Sequence, residues 1–445
     1  MEKKVIIVGA GLVGSLWAVY MQKAGYNVTI YERRPDIREA EISAGKSINL
    51  ALSNRGWKAL RNAGVEQEVR KIAIPMPGRI MHDLDGELTY QPYGKKDEAI
   101  YSVSRGHLNA IMMDIAENKG HAKIHYKHQC LDANLKEGIV KLKNLNNGEV
   151  FEDQADLVFA ADGAFSAVRY NAMQKVDRFN YSQFYIEDGY KELLLPADEN
   201  GNYQLEKNAL HIWPRGRFML IALPNEDGSF TCTLFMPYDN HEYAFNDLTS
   251  DEKIDQFFKT VFPDFHSLMP NLIENWHQHP LSSLSIVRCY PWTMGKFALM
   301  GDSCHATVPF YGQGMNAGFE DCSVMWELFQ KHQNWADTFK AYQTTRKPDG
   351  DALQDLSLHN YYVMRDHVAN EDFLLQKKIE AKLHEKHPDK WIPLYSQVTF
   401  SHIPYSKAIA QGKKQDLIMK EILKDPAIKE NWDSEEIEEK ILAQL

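Results

Sequence analysis

The residues best suited to chemistry stand at three strand-to-helix passages that lie far apart in the chain. The first is Gly9-Ala10-Gly11-Leu12-Val13-Gly14, a G-x-G-x-x-G turn between a short apolar run, Lys4 to Val8, and a helically spaced segment, Leu12 to Lys23. In such a turn the first glycine makes the bend, the second lets a pyrophosphate approach the backbone, and the third allows helix and strand to pack closely. The helix start then offers unpaired N–H groups and the positive end of its dipole to the phosphates. Glu32 closes the next strand-like run, Asn27 to Tyr31. It follows the turn by about 20 residues, where a carboxylate can bond an adenosine ribose 2′-OH. An intact 2′-OH favours FAD or NAD over NADP at this site.

The second passage runs from Leu157-Val158-Phe159-Ala160 to Asp162-Gly163, the third from Phe297-Ala298-Leu299-Met300 to Gly301-Asp302. Ligands of open α/β sheets bind at the carboxyl ends of the strands, so the three ends are expected to converge on one ligand. Beyond the third end, Pro309-Phe310-Tyr311-Gly312-Gln313-Gly314-Met315-Asn316 suits a loop laid against a planar ring. Asp302 can accept a hydrogen bond from a sugar or ribityl hydroxyl. Gly312 and Gly314 let backbone approach the ring, and a helix from about Asn316 would aim its positive end there. A flavin gains negative charge at its pyrimidine edge on reduction, so that end would favour the reduced form.

Other motifs fail on context. Ala40 to Ser47 ends Gly45-Lys46-Ser47 like a phosphate-binding loop, but a strand-like alternation, Ile48 to Leu52, follows where a helix is needed. His384 and His387 are three apart rather than the four of the zinc-protease pattern, and His277 with His279, placed on one strand face, lacks a third ligand. No metal is expected. The five cysteines are scattered with no Cys-x-x-Cys pair, which argues against a disulfide framework and for a reducing, cytoplasmic setting. The balance of 50 basic against 61 acidic residues, net −11, supplies no footprint for nucleic acid. No window reaches the ~18–20 consecutive apolar residues of a membrane-spanning helix.

These residues need a scaffold, and 445 residues are enough for two or three lobes at roughly 100–200 residues each. The first 35 residues read β-α-β. Residues 180–290 alternate turns with short β-rich runs, Leu210 to Trp213, Arg217 to Leu223 and Phe230 to Phe235, and after about residue 316 the pattern is helical. The expected fold class is α/β: a Rossmann-like FAD-binding domain (1–75, 97–180 and 290–330), an inserted antiparallel-sheet substrate domain (76–96 and 181–289), and a C-terminal helical region (331–445).

Three signatures together resemble the FAD-dependent aromatic hydroxylases, the single-component flavoprotein monooxygenases: Gly9 to Gly14 with Glu32, Asp162-Gly163 with Arg169, and Gly301-Asp302 with the Pro309 loop. Further stretches are similar to one branch of that family whose substrate is an aromatic amino acid. These are Ser47 to Ser53, Ser102 to Arg105, His211-Ile212-Trp213-Pro214-Arg215, Phe310 to Asn316, Ile392 to Tyr395 and Val398 to Ser401. The resemblance runs from about residue 4 to about residue 405. It implies FAD held by Gly9, Gly11, Val13, Gly14, Glu32, Arg33, Ala51, Arg105, Asp302, Met315 and Asn316, and an aromatic amino acid held by Arg79, Tyr93, Asn360 and Tyr395. It also implies NADPH as a transient co-substrate, in a site near Asp162-Gly163, and O2 as oxidant. A flavin hydroperoxide would carry the oxygen chemistry, so no side chain need act as a nucleophile. Eukaryotic members carry a C-terminal membrane anchor that this chain does not show, which points to a soluble, bacterial-type version. Tyr311 departs from the family, standing where Phe or His is expected.

The substrate residues can also be weighed by type. An amino-acid carboxylate needs a cation, and arginine can grip it with two parallel hydrogen bonds. Arg79 and Tyr93 flank Asp85-Gly86, a hairpin signal. A two-residue turn would put them on opposite faces, whereas a three-residue loop, Asp85 to Glu87, would pair them directly. Leu353, Leu356, Asn360, Met364 and His367 share one helix face, where a lone amide needs a partner. Tyr395 lies between Pro393 and a β-rich run, and Phe235 and Phe310 are candidate apolar walls for the aromatic ring.

Overall fold

The computed structural model describes residues 3–39, 49–95, 97–366 and 371–445. The Ala40 to Ser47 stretch and His367 lie outside the described residues, as does the side chain of Met364. Strand Lys4–Val8, with Val5 to Val8 buried, has the doubly covered apolar run of a central parallel strand. It pairs in parallel with Asn27–Tyr31 on one side and Leu157–Ala160 on the other, and the latter pairs in parallel with Phe297–Leu299. The three chemically marked strand ends therefore stand side by side, as their spacing in sequence suggested. Helix Leu12–Lys23 buries every residue from Gly14 to Met21, which suits a segment apolar on all sides.

The second large sheet orders its strands Leu281–Tyr290, Asn180–Leu195, Phe230–Pro237, Phe218–Pro224, Ala209–Arg215, Gly78–His82 and Leu88–Pro92. It is antiparallel as expected except at one seam. Gly78–His82 arrives from far upstream and joins Ala209–Arg215 in parallel. Residues 251–278 also differ from the β-rich expectation, forming helices Asp251–Val261, Pro263–Leu268 and Leu272–Gln278. Phe257, Phe258, Phe262, Phe265 and Trp276 bury against Trp213 and Leu220 of the sheet, each worth about 1.5–3 kcal/mol when fully covered. His277 thus sits on a helix, bonded to Asp251 at 2.8 Å, and shares no strand face with the buried His279. A further antiparallel sheet, His128–Asn134, Ile139–Asn144 and Val150–Gln154, went unread in the sequence. The segment carrying Tyr395 is helix Leu394–Thr399, not β-structure, because Pro393 serves as its N-cap. All five cysteines are free and buried. No helix among the described residues is long and apolar enough to cross a membrane.

Behind the Gly301–Asn316 loop lies a buried ionic network. Arg55 donates to Glu320 Oε1 at 2.6 Å, Arg346 to Glu320 Oε2 at 2.7 Å and to Asp321 Oδ1 at 2.8 Å, and Asp321 Oδ2 lies 2.6 Å from His305 Nε2. Asp321 Oδ2 also accepts from the Gly301 N–H at 2.9 Å. Cys304, His305 and Asp321 are close enough to suggest a metal centre, but both Asp321 oxygens are already committed to this network. Burial pushes the Asp321 carboxyl up, yet His305 and Arg346 outweigh it and hold it down to about 2. Burial pulls His305 down, and Asp321 more than offsets that, leaving it above the usual histidine value.

Two predictions follow from this network. Asp321→Asn leaves His305 without its counter-charge and takes one of three carboxylates from Arg346, and should destabilise the fold by about 3–5 kcal/mol in denaturant unfolding. A histidine whose value is raised on folding stabilises fully below its unfolded value of 6.5 and loses that contribution as pH rises through the folded value. The melting temperature of the parent should therefore fall as pH rises above 6.5 and through the raised folded value, and His305→Gln should remove that part of the slope.

Candidate active site

The two sheets, the loop 306–315 and the C-terminal helices enclose a cavity of about 990 Å³. From the parallel-sheet side, Gly9, Gly11, Val13, Glu32, Arg33, Asp162 and Asp302 line it, with Ala51, Arg105 and Met315 alongside. From the other side come Arg79, Tyr93, Phe235, Phe310, Asn360 and Tyr395. Two of the expected residues stand behind the wall instead. Gly14 packs against the turn, where a Cβ would lie 2.0 Å from the Gly9 carbonyl oxygen. Asn316 turns its amide into the loop, donating to Ala51 O at 2.8 Å and Gly312 O at 2.9 Å and accepting from Ser53 N at 2.9 Å.

The glycine turn is shaped to admit a phosphate. Gly9 has φ +100°, a conformation side chains rarely adopt, and a Cβ there would meet Ala161 O at 2.6 Å. A Cβ on Gly11 would enter open space, so the cavity reaches the backbone at the helix start. Glu32 braces this turn by accepting from Ala10 N at 2.8 Å, while Arg34 donates to its other oxygen through N at 2.9 Å and Nε at 2.8 Å. Burial raises the Glu32 carboxyl, but Arg34 and the Ala10 N–H outweigh it and keep it below its ordinary value, hence ionised. Arg34 is a partner that the sequence did not mark; Arg33, which it did mark, lines the cavity.

At the second strand end, Asp162 Oδ2 accepts from Ala167 N at 2.7 Å, and Oδ1 is buried without a partner among the described residues. Thr307 Oγ1, at the cavity wall, is buried and unpartnered in the same way. Such atoms call for a polar ligand. Arg169 ties the second and third strand ends together, donating to Ser303 O at 2.5 Å and Ala164 O at 2.6 Å. Helix Gly314–His332 starts two residues earlier than expected, so the Gly314 and Met315 backbone borders the cavity. The open glycine turn, the ionised Glu32 and these orphaned atoms fit FAD.

The hairpin register resolves the relation of Arg79 to Tyr93. Arg79 stands opposite Gln91, and Asp83 N bonds Glu87 O, so the loop is Leu84 to Gly86, one residue earlier than the three-residue alternative. Tyr93, two residues beyond Gln91, shares a face with Arg79 diagonally rather than as a direct pair. Arg79 Nε donates to Gln91 Oε1 at 2.9 Å, and no carboxylate of the described residues pairs with its guanidinium. Tyr93 stacks on Tyr395 (5.3 Å, 16°), which stacks on Tyr311 (5.7 Å, 22°). Burial pushes the Tyr93 phenol well above its usual value and Tyr395 up to about 12, so both are neutral O–H groups. Asn360 donates to Phe310 O at 2.6 Å, which supplies the partner its helix face required. Phe235 and Phe310 meet at 4.9 Å, and Met219, Ile221 and Leu223 extend the apolar wall.

Comparison with known proteins places this geometry. A family model described as "FAD binding domain" matches residues 2–357. The chain is 50% identical to kynurenine 3-monooxygenase of Flavobacterium johnsoniae over 444 residues, 99% of this chain and 98% of that protein. It is 44% identical to the Myxococcus xanthus protein of the same name, over 94% of this chain and 90% of that one. Among solved structures, the tetrameric form of 2-methyl-3-hydroxypyridine-5-carboxylic acid oxygenase shares the fold with TM-score 0.68 at 19% identity, over 82% of this chain and 94% of that chain. Klebsiella pneumoniae HpxO, complexed with FAD and uric acid, does so with TM-score 0.67 at 20% identity, over 84% and 91%. With the FAD-binding model matched along most of its length and half its residues shared with such a relative, the chain belongs to the kynurenine 3-monooxygenase family.

Proposed function

We propose that the chain hydroxylates L-kynurenine to 3-hydroxy-L-kynurenine in tryptophan catabolism, consuming NADPH, a proton and O2 and releasing NADP+ and water. One observation carries this reading: a half-buried guanidinium, Arg79, faces the cavity without a carboxylate partner, beside two neutral phenols. A buried cation of this kind is stabilised by an anion with matching geometry, and the substrate carboxylate meets it with two parallel hydrogen bonds. Tyr93 and Tyr395 donate O–H bonds to the same carboxylate. Phe235, Phe310, Met219 and Ile221 hold the aromatic ring and keep water from it. FAD would be held by Gly9, Gly11, Val13, Glu32, Arg33, Ala51, Arg105, Asp302 and Met315 of the cavity lining, with Gly14 and Asn316 shaping the cradle. When bound and reduced, it supplies the activated oxygen; the side chains position, desolvate and gate. The five buried thiols accord with a reducing cytoplasm.

Aerobic NADPH consumption by the FAD-loaded protein should rise when L-kynurenine is added, with the product heavier by one oxygen. Stimulation with peroxide and no new product would make kynurenine an effector only, and no stimulation would discard it as the ligand. Arg79→Ala should raise the kynurenine KM by about 10- to 1000-fold, the span expected for a lost charge-assisted pair, with FAD content unchanged. Loss of FAD in that variant would refute the placement of Arg79 at the substrate.

A further inference from the structure

The His211-Ile212-Trp213-Pro214-Arg215 stretch has a role that the cavity does not account for. Ile212 lines the cavity, whereas His211, Trp213 and Arg215 lie on the reverse face of the same strand. The parallel seam sets Leu210 opposite Arg79 and His211 opposite Ile80, which brings Trp213 beside His82. Their rings stack at 3.9 Å.

A chain of hydrogen bonds crosses this reverse face. His211 Nε2 lies 2.9 Å from Glu206 O, and a carbonyl only accepts, so that nitrogen carries the hydrogen. Burial holds His211 down to about 4, so its Nδ1 is an acceptor at neutral pH. His82 Nε2, 2.9 Å from that Nδ1, must therefore donate. His82 Nδ1 is 3.0 Å from Asp264 Oδ2, which also accepts from Trp213 Nε1 at 2.7 Å. Burial raises the Asp264 carboxyl, but His82 and Trp213 outweigh it and keep it below its usual value, so it accepts here as well. His82 thus bridges His211 and Asp264 through its two ring nitrogens. Arg215 completes the arrangement, donating to His82 O at 2.9 Å, Asp83 O at 3.2 Å and Val261 O at 2.7 Å.

We propose that this motif is a positioning clamp: His82, bonded to Asp264 and His211 and stacked on Trp213, together with Arg215, fixes strand Gly78–His82 to its neighbours and so sets Arg79 for the substrate carboxylate. These residues touch neither cofactor nor substrate, and act through the hairpin alone. The inference rests on the proposed role of Arg79, three residues away on the opposite face.

The test uses the full-length, FAD-loaded protein and its His82→Gln, Asp264→Asn and Arg215→Lys variants. The kynurenine Kd, read from the absorbance of bound FAD, and the KM should both rise about 10- to 100-fold, as a slight misplacement of a binding group predicts, while kcat and FAD content hold. Amide exchange should quicken at residues 78–92 and stay as in the parent at residues 9–13. Variants that keep FAD and bind kynurenine like the parent overturn the clamp, as do variants that lose FAD. If the parent itself does not bind kynurenine, the functional reading fails, and hairpin exchange still decides the clamp.

Discussion

The arrangement of the site depends on one buried guanidinium, Arg55, and the ion network it opens. Its side chain is fully buried and makes contacts in three parts of the chain. It meets Glu320 on the helix that follows the cofactor loop, it donates to Val398 O and Ile403 O, and its guanidinium lies 4.0 Å from the centre of the Tyr405 ring. Arg346 carries the same network into helix Trp335–Asp366, the helix of Asn360. The elements that hold Tyr395 and Asn360 are thus tied to the loop that lines the cavity. With His305 protonated, Arg55, Arg346 and His305 face Glu320, Asp321 and Asp349, an even balance of charge without which so much burial would be untenable.

A second constraint is the alternation of strand Gly78–His82. Arg79 and Met81 face one way, Ile80 and His82 the other. Arg79, bonded to Gln91 and to no carboxylate of the described residues, faces the cavity, while His82 on the reverse face is bonded to Asp264 and His211. This division of labour suits a reaction in which the cofactor supplies the reactive oxygen. The protein need not supply a nucleophile; it must place an aromatic ring and keep water away.

How much of this was legible follows from the range of each interaction. The strand–glycine turn–helix unit was readable to the residue, with helix Leu12–Lys23 and strand Asn27–Tyr31 at their expected bounds, because turn and periodicity are local signals. Convergence of the three strand ends was readable too, since parallel α/β sheets leave few alternatives. The hairpin was readable as a hairpin, but its three-residue loop lies one residue earlier, which puts Arg79 opposite Gln91 instead of Tyr93, because Asp85-Gly86 fits several loops. Helices 251–278 were missed because their aromatic residues resemble strand composition when the period is not counted. Arg55, Glu320 and Arg346 were invisible: Arg55 stands 265 positions from Glu320, and none of the three carries a mark of burial in its own neighbourhood. The resemblance led to Arg79 and Asn360, but it did not show that Asn360 grips the Phe310 carbonyl.

That grip bears on how the two halves of the cavity communicate. Phe310 is held by Asn360 and faces Phe235 on the substrate sheet; Tyr311 stacks on Tyr395, which stacks on Tyr93 beside Arg79. Gly312, whose φ of +65° suits glycine, then turns the chain into Gln313, which accepts from Tyr405, and into the helix start at Gly314. Six consecutive residues, 309–314, therefore touch the Phe235 wall at one end and the start of helix Gly314–His332 at the other. On the proposed function, a ligand that neutralises Arg79 would act on the same short segment that would face the cofactor. The phenol of Tyr311, where relatives of this fold are expected to carry Phe or His, keeps this path aromatic and adds a polar group within it. Of the three stacked phenols Tyr311 is buried and Tyr93 and Tyr395 are partly exposed to the cavity, so the hydroxyls nearest Arg79 are open to a polar group bound there.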